Sequence, residues 1–325
     1  MTSRQRFFKR SRKMNIRMVY GAFTFAAAVL AAGCASAPEE AVVQPRAAAQ
    51  EAAPQARAAD PFWAAKAPRR ESRVKLTIVE GSNMPLAETE LDGVKCTLLV
   101  DTGATHTTFD LSFVKKALPD VLLQPVMMMG ETNVEGAPRF MQAKSLKIGE
   151  AVFEDFGAMA LDISHLHKAI GVHIDGILGM STLGRVPCVV SLGGGELVFA
   201  PGAEALAGFG ARVRRSPAEP MSVFLKAGTP GGVVEILVDS GASMTILSSA
   251  TKWPATGEAV RAPAVDINGS AGLAPRMGEK GVLDLAGGIE IKPMIVEEPM
   301  NRLGADTLRA YDMLVAGPFA AFRRR

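Results

Sequence analysis

The sequence has little of several residue types and patterns on which particular structures and mechanisms depend. Only three of its 325 residues are cysteine, which is too few for a disulfide-stabilised scaffold or an all-cysteine zinc site. No Ser-His-Asp signature, phosphate-binding loop or dinucleotide-binding turn stands out, and long helical periodicity is scarce. What is present is a chain with 48% hydrophobic residues, 32 glycines and 20 prolines. This composition favours a turn-rich β protein with a sizeable core.

The first 34 residues form a distinct segment. Seven basic residues and no acid precede an apolar run at 22–32, which ends in Gly33-Cys34. A basic head, an apolar stretch of about a dozen residues and a small-residue end predict a secretory signal. The apolar run is short for a transmembrane helix, which needs roughly 20 apolar residues. The segment 30–34 (LAAGC) resembles the lipobox of bacterial lipoproteins, which implies that 1–33 are a lipoprotein signal peptide and that Cys34 carries a lipid.

The lipoprotein resemblance also changes the meaning of the net charge. Removal of residues 1–33 would change the formal charge from +3 to −4, so the basicity gives no reason to expect a nucleic-acid partner. The resemblance implies a lipid-anchored protein on the periplasmic side of the cell envelope. Ala35 favours the outer membrane if the host has two membranes. Ordinary secretion or an uncleaved anchor remains the alternative. Residues 34–72, rich in Ala and Pro, are expected to be a flexible tether.

From residue 73 onward, short apolar or alternating runs separated by turn residues indicate an all-β structure. Within it, the segment 97–105 (TLLVDTGAT) returns at 235–243 (EILVDSGAS), an offset of 138. Ile177-Leu178-Gly179 returns as Val315-Ala316-Gly317 at the same offset. Such a long repeat indicates a duplicated domain. We therefore expect an N-terminal unit at 73–205 and a C-terminal unit at 206–325.

The repeated segment is an apolar strand that ends in Asp-Thr-Gly or Asp-Ser-Gly. The buried strand would fix the carboxylate, the hydroxyl could hydrogen-bond to the other copy, and glycine would allow close backbone approach. Two carboxylates brought together share one proton. The ionised one can then activate water, while the protonated one polarises an amide carbonyl. The alternative is that Asp101 and Asp239 merely cap turns after strands.

These motifs resemble those of aspartic peptidases of the pepsin/retropepsin clan. The resemblance implies an all-β, two-lobed pepsin-like fold built from two retropepsin-like units, with a cleft between them. It also implies roles for particular residues. The catalytic pair would be Asp101 and Asp239, supported by Thr102, Gly103, Ser240 and Gly241. The supporting motifs beneath them would be Ile177, Leu178 and Gly179 in the first copy and Val315, Ala316 and Gly317 in the second.

The expected function is that of an envelope-anchored aspartic endopeptidase. It would act as a monomer on an extended peptide or protein, without a cofactor or metal. A non-catalytic peptide-binding or scaffold lipoprotein of the same fold is the alternative, favoured by the small Ala316 and by the absence of a suitable flap tyrosine. An enzyme that depends on dimerisation or on removal of a segment is another.

Other features leave their alternatives open. Two hairpin candidates, at 132–136 and 267–272, could be flaps or plain turns. A metal site at His165, His167 and His173 is weighed against a polar loop, which the spacing favours. Cys96 and Cys188 could form a disulfide or remain buried thiols.

Overall fold

The structure is a computed structural model that describes residues 67–125, 137–216, 219, 221–259, 262–266 and 269–325. The expected signal peptide, the lipidation site Cys34, most of the tether and the hairpin candidate at 132–136 lie outside the described residues. Within the described part of the chain, no helix is long and apolar enough to cross a membrane.

The described residues of the first half form ten strands and four short helices. The strands are β1 (Ser72–Ile78), β2 (Pro85–Leu91), β3 (Val94–Val100), β4 (Thr108–Asp110), β5 (Leu123–Pro125), β6 (Arg139–Ile148), β7 (Ala151–Leu161), β8 (Gly176–Leu178), β9 (Cys188–Ser191) and β10 (Glu196–Phe199). The helices are α1 (Leu111–Ala117), α2 (Ser164–Ile170), α3 (Met180–Leu183) and α4 (Ala203–Leu206).

The second half continues with strands that are mostly shorter. They are β11 (Val213–Arg214), β12 (Phe224–Thr229), β13 (Gly232–Val238), β14 (Ile246–Ser248), β15 (Ala255–Thr256), β16 (Ala262–Asp266), β17 (Gly269–Leu273), β18 (Arg276–Gly278), β19 (Gly281–Leu283), β20 (Ile289–Ile291), β21 (Met294–Val296), β22 (Arg302–Leu303), β23 (Tyr311–Ala316) and β24 (Phe319–Arg324). Helix α5 (Ala305–Leu308) and a 3-10 helix (Ser249–Thr251) complete it. The prediction of a mostly β protein is confirmed.

Six strands of the first half close into a barrel. Their order is β2-β3-β8-β4-β7-β6, and the pairing of β6 with β2 closes the ring. Alternation of side chains produces the inward face: along β6, Met141, Ala143, Leu146 and Ile148 are buried while Gln142, Lys144 and Lys147 are exposed. The alternation has period two on either side of Ser145, as a strand with one face on a core requires, and shifts by one residue there.

The second half repeats this strand order in part. Its larger sheet runs β12-β13-β22-β14-β21-β18-β15. In both halves the strand that precedes an aspartate pairs in parallel with a short strand, β3 with β8 and β13 with β22. That short strand then pairs antiparallel with β4 or β14. The two halves therefore build the surroundings of their aspartates in the same way.

The halves are joined by β-sheet. Strand β9 pairs antiparallel with β23, so the order β1-β10-β9-β23-β24-β11 places strands from both halves side by side. The main buried cluster also contains side chains of both halves, among them Phe199, Val190, Met313 and Val315. The expected boundary between residues 205 and 206 lies between β10 and β11, and both of these strands belong to the joined sheet.

The C-terminal arginines lie in the last strand of this joined sheet and directly after it. Arg323 and Arg325 form ion pairs with the buried Asp312, at 2.6 and 2.8 Å. Burial opposes ionisation of Asp312, but hydrogen bonds from Ser191, Arg323 and Arg325 lower its pKa overall. The end of the described chain is thus held in the sheet by a charged cluster.

Candidate active site

Asp101 and Asp239 each follow a strand whose last three residues are buried. Val100 at the end of β3 and Val238 at the end of β13 are both fully buried. The Asp101 amide donates to the carbonyl of Leu178, and the Asp239 amide donates to that of Leu303, both at 3.0 Å. Apolar side chains fix these strands in the core, so the aspartates that follow them are held by the sheet.

The two turns after these strands are interlocked by their hydroxyl groups. The Thr102 hydroxyl donates to the carbonyl of Val238 at 2.7 Å and accepts from the Ser240 amide at 3.0 Å. In return, the Ser240 hydroxyl donates to the carbonyl of Val100 at 2.7 Å and accepts from the Thr102 amide at 3.0 Å. Both side chains are completely buried, where unmade hydrogen bonds are costly. This reciprocal set fixes one turn against the other.

The glycines bring each carboxyl group against the opposite turn. A Cβ on Gly103 would collide with the carboxyl group of Asp239, and a Cβ on Gly241 would collide with that of Asp101. The carboxyl groups lie within hydrogen-bonding reach of each other. Any side chain beyond hydrogen at either glycine would push the carboxyl groups out of this arrangement.

The carboxyl groups have different hydrogen-bond partners. Asp101 Oδ1 accepts from the amides of Gly103 and Ala104, at 2.8 and 3.1 Å. Asp239 Oδ1 accepts from the Gly241 amide at 3.0 Å. Removal from water, and next the negative charge of Asp239, raises the pKa of Asp101. The pair can therefore hold one proton and one negative charge near neutral pH.

Ile177, Leu178 and Gly179 lie beside the chain that carries Asp101. Ile177 and Leu178 belong to β8, beside the strand that ends before Asp101. A Cβ on Gly179 would collide with the backbone carbonyl of His106. The next residue, Met180, donates its amide to the carbonyl of Ala104 at 2.8 Å. Gly179 thus lets the chain pass directly against the turn that carries Asp101.

The prediction of the second supporting motif is wrong. Val315 and Ala316 belong to β23, which pairs with β24 and β9, and Gly317 begins the turn of the β23–β24 hairpin with φ +54°. The position beside Asp239 is taken by Arg302-Leu303-Gly304. Strand β22 pairs in parallel with β13, and a Cβ on Gly304 would collide with the backbone of Met244.

A shorter connection explains the error. Asp101 and Gly179 are 78 positions apart, whereas Asp239 and Gly304 are 65 apart, so a search at constant offset passes over the true counterpart. A signal was nevertheless present, because 179–183 (GMSTL) and 304–308 (GADTL) share Gly, Thr and Leu in order. The two threonines have equivalent partners: Thr182 lies 2.7 Å from the hydroxyl of Thr107, and Thr307 lies 2.7 Å from that of Thr245.

Arg302 is a residue of the site that sequence reasoning missed. Its Nη1 donates to Asp239 Oδ2 at 3.2 Å. The corresponding residue of the first half is Ile177, which is buried in an apolar cluster with Leu99 and Ile174. A search for an apolar pair before glycine excludes an arginine at this position.

Cys96 lies within β3, Cys188 begins β9, and His167 belongs to α2. Cys96 and Cys188 are free and buried, and burial raises the pKa of their thiols to about 11 and about 12. His173 contacts His167 at 3.3 Å and Asp175 at 3.1 Å. Across the described residues, no group of three or more His, Cys, Asp or Glu is placed to hold a metal ion.

The comparison with protein families matches part of the chain. The model of a family described as aspartyl protease matches residues 87–182. This stretch contains Asp101, the turn that follows it and the first supporting motif with Gly179. No curated protein matches the chain. Through its first half, then, the chain is similar to aspartyl proteases, and the match supports a peptidase-type function.

Proposed function

We propose that the protein is an aspartic endopeptidase with one active site made by both halves of the chain. The observation that carries this proposal is the reciprocal hydrogen bonding of Thr102 and Ser240. It holds together the turns that carry Asp101 and Asp239, directly after the buried ends of two strands. A pair of carboxyl groups that shares one proton can activate water and polarise a peptide carbonyl at the same time.

The proposed architecture is a two-lobed pepsin-like fold with a cleft between two retropepsin-like units, at 73–205 and 206–325. Support comes from the strand order that the two halves share and from the sheet that joins them through β9 and β23. The hairpin of β16 and β17 lies downstream of Asp239, where a flap over a cleft would be expected. An extended peptide or protein would bind in such a cleft through strand-like backbone hydrogen bonds.

The proposed reaction needs no covalent intermediate. The ionised aspartate takes a proton from water, and the water oxygen bonds to the carbonyl carbon of the substrate. The protonated aspartate gives its proton to the carbonyl oxygen. When the resulting diol collapses, the C–N bond breaks, the leaving nitrogen receives a proton from the first aspartate, and the second regains one from the diol. Each aspartate returns to its starting state.

The test is cleavage of a mixed peptide library by the purified full-length chain, mapped by mass spectrometry from about pH 4 to about 8. We expect Asp101→Asn and Asp239→Asn each to lower the cleavage rate by about 10³-fold or more. Asp120→Asn, which removes an exposed aspartate on a surface turn, is the matched control and should cut like the wild type. Folded wild-type protein that cuts nothing at any pH would favour the non-catalytic peptide-binding alternative.

We also propose that residues 1–33 are a lipoprotein signal peptide and that Cys34 anchors the protein in the cell envelope. The support is the segment LAAGC at 30–34 after a basic head and an apolar run. Expression in a bacterium with two membranes, followed by fractionation and radiolabelled-palmitate incorporation, tests this. Label in the wild type that is lost in Cys34→Ala is the expected outcome, and equal label in both proteins would contradict it.

A further inference from the structure

The two aspartates of the pair differ in their charged neighbours. Arg302 reaches Asp239 Oδ2 with its Nη1 at 3.2 Å. The side chain of Asp239 is 5% exposed and that of Arg302 is 22% exposed, so solvent screens this ion pair only in part. Among the residues that the structure describes, Asp101 forms no ion pair. The charged group against Asp101 is instead Asp239 itself.

This difference comes from one position beside the strands. Arg302 pairs with Leu237 in the sheet as Ile177 pairs with Leu99. Ile177 turns into an apolar cluster and is 3% exposed, so it offers Asp101 no charge. The first half therefore surrounds its aspartate with apolar groups and amides, and the second half adds a guanidinium group to its own.

An adjacent cation favours the ionised form of a carboxyl group, whereas an adjacent carboxylate disfavours it. Arg302 and Asp101 are the charged groups that face Asp239 in the described structure, and the Gly241 amide also donates to Asp239. A positive charge thus lies against Asp239, whereas no cation is paired with Asp101 among the described residues. Removal from water raises the pKa of Asp101 by more than the amides of Gly103 and Ala104 lower it.

We propose that Arg302 is a positioning residue that keeps Asp239 ionised as the proton acceptor and leaves the shared proton on Asp101. The roles that follow for the two aspartates in catalysis rest on the proposed peptidase function. Asp239 would take the proton from water, and Asp101 would give its proton to the carbonyl oxygen of the peptide. A carboxylate oxygen has two lone-pair sites, so Oδ2 can accept from water while it also accepts from Arg302.

The direct test is carboxyl ¹³C NMR of the full-length chain labelled at the aspartate Cγ, followed as a function of pH. Asp101→Asn and Asp239→Asn identify the two signals by their disappearance. In the wild type we expect the signal of Asp239 to show ionisation at lower pH than that of Asp101. A wild-type spectrum in which Asp101 ionises first overturns the proposal, whatever the variants do.

Arg302→Ile installs the residue of the matching position in the first half, and Arg302→Lys is the control that keeps a positive charge. The pair loses its protons in two steps, and we expect Arg302→Ile to raise the apparent pKa of the first step by about 1 to 3 units. An adjacent arginine lowers a carboxyl pKa by that amount. In Arg302→Lys the apparent pKa of the first step should stay close to that of the wild type. An unchanged apparent pKa of this step in Arg302→Ile would overturn the proposal. Should that variant fail to fold, Arg302→Gln replaces it.

The activity of the same variants separates this proposal from the proposed function. If both hold, the acid limb of the kcat/KM profile moves to higher pH in Arg302→Ile by the shift that NMR measures. Titration of the pair as described without any peptide cleavage would overturn the peptidase function alone. If cleavage requires both aspartates but the titration of the pair does not change when Arg302 is replaced, only the role of Arg302 is overturned.

Discussion

The first half of the chain places Ile177, and the second half places Arg302, at the same point beside a strand that ends in an aspartate. Ile177 is buried among apolar side chains, whereas Arg302 bonds to the carboxyl group of Asp239. The backbone that supports the two turns is nevertheless alike, since Leu178 and Leu303 accept equivalent amide bonds from the two aspartates. Backbone support is thus shared by the halves, and the electrostatic environment is what differs.

A second difference lies farther from the aspartates. Six strands of the first half form a closed barrel, with β6 paired to β2. In the described part of the second half, β18 pairs with β15 and β21, and β12 is joined to the chain after β19 by a single bridge between Gly228 and Asp284. The elements in contact with the aspartates are therefore alike in both halves, while the outer strands and connection lengths differ. This pattern suggests that contacts at the aspartates constrain the structure more than the periphery does.

The largest effect is expected from alanine at the glycine beneath each turn. A Cβ would overlap backbone atoms of His106 at Gly179 and of Met244 at Gly304. We expect Gly179→Ala and Gly304→Ala each to lower the free energy of unfolding by about 3 kcal/mol, the upper range for overpacking. Urea denaturation followed by circular dichroism measures both.

Gly317→Ala is the matched control for these two variants. Nothing lies within 4 Å of a Cβ at this position, and only its left-handed φ of +54° opposes alanine. The expected cost is about 1 kcal/mol, typical of an L-residue in this region. A loss at Gly317 as large as that at Gly304 would contradict the assignment of Gly304 as the counterpart of Gly179.

The mostly β class and the local turn chemistry were accessible from the sequence, because both depend on short segments. Strand alternation has period two, and Asp-Thr-Gly with Asp-Ser-Gly are contiguous motifs that need no knowledge of distant pairing. The structure brings Asp101 and Asp239 together at the ends of such strands. Local patterns thus sufficed to nominate both aspartates.

The second supporting motif was not accessible in the same way, because strand pairing over a long separation decides it. Val315-Ala316-Gly317 satisfies an apolar-small-Gly pattern but belongs to a hairpin. Gly304 occupies the supporting position after a connection 13 residues shorter than that of the first half. The residue that contacts Asp239 is Arg302, which does not fit the apolar pattern. A search for that pattern therefore excluded the residue that distinguishes the two halves.

An intermediate effect is expected at the interlocking hydroxyls. Thr102→Val or Ser240→Ala leaves a buried carbonyl and a buried amide without their partners. Each change should lower the free energy of unfolding by about 2 kcal/mol. Because the two hydroxyls belong to one network, the double variant should cost less than the sum of the single ones.

Thr102→Ser is the control for this pair, since it keeps the hydroxyl and loses only a methyl group, with a cost of about 0.8 kcal/mol. Chemical denaturation of the wild type, the two single variants and the double variant completes a double-mutant cycle. Additive losses, or a loss at one hydroxyl and none at the other, would show that the two turns are not held reciprocally.

The smallest effect is expected at the second residue after each supporting glycine, which is Ser181 in the first half and Asp306 in the second. Ser181 accepts from the Thr107 amide at 2.9 Å, and Asp306 accepts from the Thr245 amide at 2.8 Å. The acceptor is equivalent, but Asp306 carries a titratable group. Burial raises the pKa of Asp306 above its ordinary value of 3.8, against hydrogen bonds from Thr245 and Thr307 that lower it.

The sign of the resulting pH dependence follows from linkage. In the folded protein Asp306 holds its proton to higher pH than in the unfolded chain, so its contribution to stability is complete below about pH 4 and is lost as pH rises through the folded-state pKa. Asp306→Ser keeps an acceptor for the Thr245 amide and removes the ionisation. We expect its melting temperature, relative to that of the wild type, to rise as pH increases from about 4 to neutral. The reciprocal change Ser181→Asp should lower the melting temperature, relative to that of the wild type, as pH increases over a similar range. If the melting temperatures of all three proteins change with pH in the same way, a titrating role for Asp306 is refuted.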